Sequence, residues 1–107
     1  MVRRLFASTS STSPSASHSH GHALIGMVHL GPLLERGTAL ADVEAAARRD
    51  AARLAEAGFD AIMVENFGDR PFYPDRVPTH TVTAMTRMVL AIRQEVGALP
   101  LGVNVLR

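Results

Sequence analysis

Asp60–Phe67 reads DAIMVENF, and the rest of the chain can be understood by working outward from it. Four apolar residues, Ala61–Val64, are followed at once by Glu65 and Asn66, then by Gly68–Asp69. An apolar run this short, closed by polar and turn residues, is a buried strand rather than a helix. The same outline recurs on either side. Upstream, Ala23–Leu30 (ALIGMVHL) ends in a polar group at His29; downstream, Leu101–Arg107 (LGVNVLR) carries Asn104.

Two helical patterns separate the three runs. The first spans about Ala39–Ala57, with Thr38 as N-cap, Gly58 past its last turn, and Val43, Ala47, Ala51 and Leu54 as an apolar stripe. Glu44 and Arg48 form an i,i+4 pair on its polar face. The second spans about Thr81–Val96, after Pro78, with Thr79 or Thr81 as cap and Val82, Met85, Val89, Ile92 and Val96 as its stripe. A strand–helix–strand–helix–strand order predicts an α/β fold with a parallel sheet. All three strands are apolar on both faces, which predicts a sheet covered on both sides.

Parallel α/β folds place ligands at the carboxyl ends of their strands, and the polar residues of this chain fall there. Glu65 and His29 are the candidate catalytic groups, as general acid or base. Asn66, Asp69, Asn104 and Arg107 are candidate ligand-binding residues, Asn104 as a neutral partner that orients Glu65 or His29. Each has a plainer reading: Glu65 can order the next loop through backbone N–H groups, His29 can be a satisfied rim histidine, and Gly–Asp is ordinary turn chemistry. Gly102, inside the third strand, implies a close approach by backbone or ligand. The loop Gly68–Pro78 (GDRPFYPDRVP) offers Arg70 and Arg76 to a small anionic ligand. Met85 and Met88 read as core filler.

Composition narrows the remaining classes. The 107 residues fit one domain, with 47% apolar residues and a net charge of +1. That charge gives no reason to expect nucleic acid or an anionic membrane as partner. Cysteine is absent, which excludes disulfides and thiolate-bound metals. No apolar run approaches the ~20 residues of a transmembrane helix. All eleven basic residues are Arg, for which the sequence offers no functional account. No cofactor motif is legible.

Residues 1–22 (MVRRLFASTSSTSPSASHSHGH) are of another kind: rich in Ser, free of acids and short of core-forming residues. They are expected to form a disordered tail or an organellar transit peptide. His18, His20 and His22 alternate and would share a face if extended, which is a weak metal pattern without a carboxylate nearby.

The stretch IGMVHLGPL, the block DAIMVENFGDRPF, and TAMTRMVLAIR followed by PLGVNVLR resemble the BtpA/SgcQ family over Ala23–Arg107. The resemblance implies the N-terminal portion, about three strands and two helices, of an incomplete (β/α)8 TIM barrel related to the ribulose-phosphate-binding group. It also implies a role in the biogenesis or stability of a membrane complex, photosystem I-like in phototrophs. It carries over no reaction. The motif residues that match are His29, Glu65, Asn66, Asp69, Asn104 and Arg107. Gly31 stands where the family usually has Pro, implying a shorter or looser loop after the first strand. A closed barrel needs ~250 residues, so the expectation is an N-terminal piece of a longer protein, or a truncated gene product, that alone is aggregation-prone or must pair with another copy; the full-length protein is a candidate oligomer. Two functions stay open: an assembly factor for a membrane protein complex, or a barrel enzyme or binder of a small phosphorylated metabolite. The expected location is cytoplasmic or peripheral to a membrane, and organellar if residues 1–22 are a transit peptide.

Overall fold

The computed structural model describes residues 21–107. The tail expectations for residues 1–20, including His18 and His20 of the histidine pattern, lie outside them. Strand β1 (Ile25–His29), helix α1 (Leu40–Glu56), strand β2 (Ala61–Glu65), helix α2 (Thr79–Val96) and strand β3 (Leu101–Asn104) follow in order. The three strands form one sheet in the order β1-β2-β3, and both pairings are parallel. The chain is therefore α/β, two right-sized βα units and a third strand, consistent with part of a (β/α) barrel.

Alternation along the strands decides what is buried. Val28, Ile62 and Val64 point to one face and are sealed there with Leu30 and Leu33, against Ala47 and Ala51 of α1 and Ala84, Met85, Met88 and Ile92 of α2. The alanines of α1 let its backbone approach the sheet, and Gly26 leaves room for Leu54: a Cβ at Gly26 would meet the Leu54 side chain at 2.8 Å. Across the outer surface Arg48 joins the two helices. It donates to Glu44 on its own helix and to Glu95 and Gln94 on α2, while Arg87 of α2 donates to Glu44 at 2.8 Å.

Several local expectations shift. Both-sided cover does not hold among the described residues: both helices pack into one core, and Ile25 and Met27 on the opposite face remain 47% and 44% exposed. Ala39, not Thr38, is the N-cap of α1, with no side-chain cap, and the Thr38 N–H closes a turn on the Glu35 carbonyl just before it. Helix α2 starts two residues early, at Thr79, with Pro78 in extended conformation before it. Its sheet-facing stripe runs through Ala84, Met85, Met88, Ala91 and Ile92, leaving Val82 exposed. The helix is apolar over a wide arc, so two overlapping stripes satisfied the same period. Gly102 faces the open side, where a Cβ would meet Met63 Cε at 2.9 Å. A methionine occupies the space that the glycine leaves.

Candidate functional site

Sheet register builds the site. His29 pairs with Glu65 in β1–β2, and Glu65 pairs with Asn104 in β2–β3, so the last residues of all three strands share one row. Period-two alternation turns that row to the open face, opposite the valines one position earlier. His29 Nε2 lies 3.1 Å from Glu65 Oε1, and Asn104 Nδ2 donates to Glu65 Oε2 at 2.6 Å. Each carboxylate oxygen thus has its own escort. The Glu65 side chain is 15% exposed against 46% for His29, so the acid is the recessed member of the row. A carboxylate at this depth needs such partners to offset lost hydration.

Asn66 and Asp69 are held differently. Asn66, one residue past Glu65, points to the helix side and is buried. Its amide mimics a strand partner: Nδ2 donates to the Leu106 carbonyl at 3.1 Å, and Oδ1 accepts from the Leu106 N–H at 2.6 Å. Asp69 Oδ1 accepts from the Leu33 N–H at 2.6 Å, and its other oxygen accepts weakly from Asn66 at 3.4 Å. These two residues fasten the chain after β1, β2 and β3 to one another. Gly68 completes the fastening, because its N–H donates to the Leu30 carbonyl and a Cβ would lie 2.7 Å from that oxygen. The loop after β1 is accordingly tied to the loop after β2 on both sides of Gly31. Arg107 is exposed and donates to the Asp75 carbonyl at 2.6 Å, away from the row.

Phe67 is the residue the sequence reading passed over. Its ring stacks on the His29 imidazole with centroids 4.5 Å apart, and the Arg70 guanidinium lies 4.2 Å from the same ring. The signal was available: Phe67 is two positions after Glu65, so alternation sends it toward His29. Arg70 also lines a cavity of about 440 Å³ between the loops after β1 and β2, with Pro32, Leu34, Phe72 and Tyr73 among its walls. Arg76 is exposed and does not line it.

Among the described residues no cluster of three His, Asp or Glu side chains could hold a metal ion, and no helix is long and apolar enough to cross a membrane. What the row can do is acid–base chemistry: a recessed carboxylate, oriented on both oxygens and flanked by an imidazole.

The sequence is 57% identical over 88 residues to an uncharacterized protein of Thermococcus kodakarensis, and 46% identical over 87 residues to one of Methanocaldococcus jannaschii. Each alignment covers 78% of this chain and 33% of the relative. It is 45% identical over 87 residues to the Photosystem I biogenesis protein BtpA of a Synechocystis strain, covering 78% of this chain and 30% of that protein. The chain thus spans about a third of the length of the curated relatives it matches. No solved structure matches it. The family model for BtpA matches residues 20–107, and the chain belongs to the BtpA family.

Proposed function

We propose that the whole protein is a (β/α) barrel that holds a small metabolite at its strand-end rim and moves a proton on it, with Glu65 as the acid–base group. The observation that carries this reading is the row His29–Glu65–Asn104, in which both carboxylate oxygens are engaged at 3.1 and 2.6 Å. A positioned carboxylate contributes typically 10²–10⁴-fold to a proton transfer. His29 lies within reach to take or return the proton, and Asn104 keeps the carboxylate from rotating away. Asn66 and Asp69 act as positioning residues that hold the loops around the rim. The open face of the sheet, apolar at Ile25 and Met27, becomes the packed barrel interior below the row.

The test is a thermal-shift screen of the full-length protein against phosphosugars, nucleotides and simple organic acids, followed by turnover of the compounds that bind. The expected result is a stabilising compound whose turnover falls at least 100-fold in Glu65→Gln while its binding persists. A screen without any stabilising compound, or turnover indifferent to Glu65→Gln, rejects the reading.

A second reading is favoured by one relative's name, Photosystem I biogenesis protein BtpA. In it the protein supports assembly of a membrane protein complex from the membrane surface, without a spanning helix of its own in this segment. Fractionation of cells expressing the full-length protein tests it: copurification with membrane subunits is expected, and a pool free of them counts against it.

A further inference from the structure

Arg70 is the cation of this surface that the acid–base row leaves unused. Its guanidinium lies over Phe67, and Phe67 in turn stacks on His29. The imidazole and the guanidinium are therefore separated by no more than those two contacts combined. Stacking on a ring fixes the plane of an arginine while leaving its N–H edge available, since the ring occupies a face and not the donors. Among the described residues no carboxylate pairs with it; the ion pairs there belong to Arg48, Arg87 and His29. The same residue lines the cavity of about 440 Å³ whose walls include Pro32, Leu34, Phe72 and Tyr73. That volume is within the range of small-molecule sites, which combine apolar walls with a few polar anchors. Two carboxylates also line it. Asp69 is spent on the Leu33 N–H and the Asn66 amide, and Glu35 is exposed to water, where its field is screened.

Resting on the acid–base reading above, we propose that Arg70 is the anion anchor of the rim site, and that the ligand is a small organic anion, a carboxylate or phosphate ester with an apolar or aromatic body. The charged group meets the Arg70 fork and the body lies against Leu34, Phe72 and Tyr73, with the Phe67 ring linking the anchored end to His29. Phe67 positions both the anchor and the imidazole, so ligand binding and the orientation of His29 are coupled through one ring.

The experiment is calorimetric titration of the full-length protein with phenyl phosphate, with inorganic phosphate and phosphatidylglycerol vesicles in parallel. Arg70→Gln, Arg76→Gln and Glu65→Gln variants are compared with wild type. Phenyl phosphate is expected to bind wild type more tightly than inorganic phosphate. Arg70→Gln should weaken it about tenfold or more, the usual scale for loss of a charge-assisted contact. Arg76→Gln should leave it within about twofold, and added salt should weaken only proteins that retain Arg70. Glu65→Gln should also retain binding, so failure of the anchor and failure of the acid–base group give different patterns. Equal affinity in Arg70→Gln, no binding of phenyl phosphate to wild type, or binding of the vesicles alone overturns the proposal. Arg70 is exposed, so its replacement does not threaten the core; Arg70→Lys keeps charge without the planar fork and should recover part of the loss.

Discussion

On the helix-covered face of the sheet Val28, Ile62 and Val64 are sealed to 1% exposure or less, whereas on the opposite face Ile25 and Met27 keep close to half of theirs. Both faces are built from similar residues on the same three strands. The difference is therefore one of cover and not of composition. Two helices complete one side; the other presents apolar side chains below a polar row, which is how the inside of a barrel wall is arranged. Apolar strand residues thus serve two ends: against the helices they make a core, and on the open side they form the floor of the candidate site.

The largest effect expected from this comparison is at the sealed face. Ile62→Ala in the full-length protein should cost about 2–5 kcal/mol in denaturant unfolding, since it leaves a cavity that the helices cannot collapse. Met27→Ala sharpens the contrast. If barrel closure buries the open face, the full-length protein loses about 2 kcal/mol; a loss within about 0.5 kcal/mol means that the face stays wet. Gly68→Ala probes the joint between the two faces and should cost about 1–3 kcal/mol, because the new methyl group meets backbone atoms that have no side-chain freedom to yield. Asn66→Ala should cost about as much, by leaving the Leu106 N–H and carbonyl without their partner.

The smallest effect lies on the outer surface. The Arg87 hydrogen bond, aided by Arg48, holds the Glu44 carboxyl below the usual carboxylate range against a weaker opposing push from desolvation. A lowered native pKa stabilises the fold above the unfolded carboxylate's pKa, and that share is lost as pH falls through the native value. Arg87→Ala should therefore flatten the acid limb of a stability–pH curve slightly. An unchanged acid limb would show that water screens the pair completely.

Much of this arrangement is legible in the sequence. The runs around Met27, Met63 and Val103 gave three strands, and counting alternate positions put His29 and Glu65 at their ends. Propensity and spacing are local, and these features are local too. The Asn66–Leu106 clamp was not legible, because it joins residues forty positions apart and depends on register. Which stripe of α2 is buried is hidden too: Val82 and Met85 fit the helical period equally well, yet Met85 is buried and Val82 exposed. Phe67 reads in sequence as the end of an apolar run, and only the parallel register makes it a neighbour of His29.

The register has one more consequence. The row His29–Glu65–Asn104 sits a single step beyond Val28, Val64 and the aligned Val103. Sliding any strand by one position would push a valine to the rim and drive an acid, an amide or an imidazole into the oil of the core. A chain that folds with its interior dry has, by that fact, already set His29, Glu65 and Asn104 side by side, so one alignment error would spoil the core and the row together.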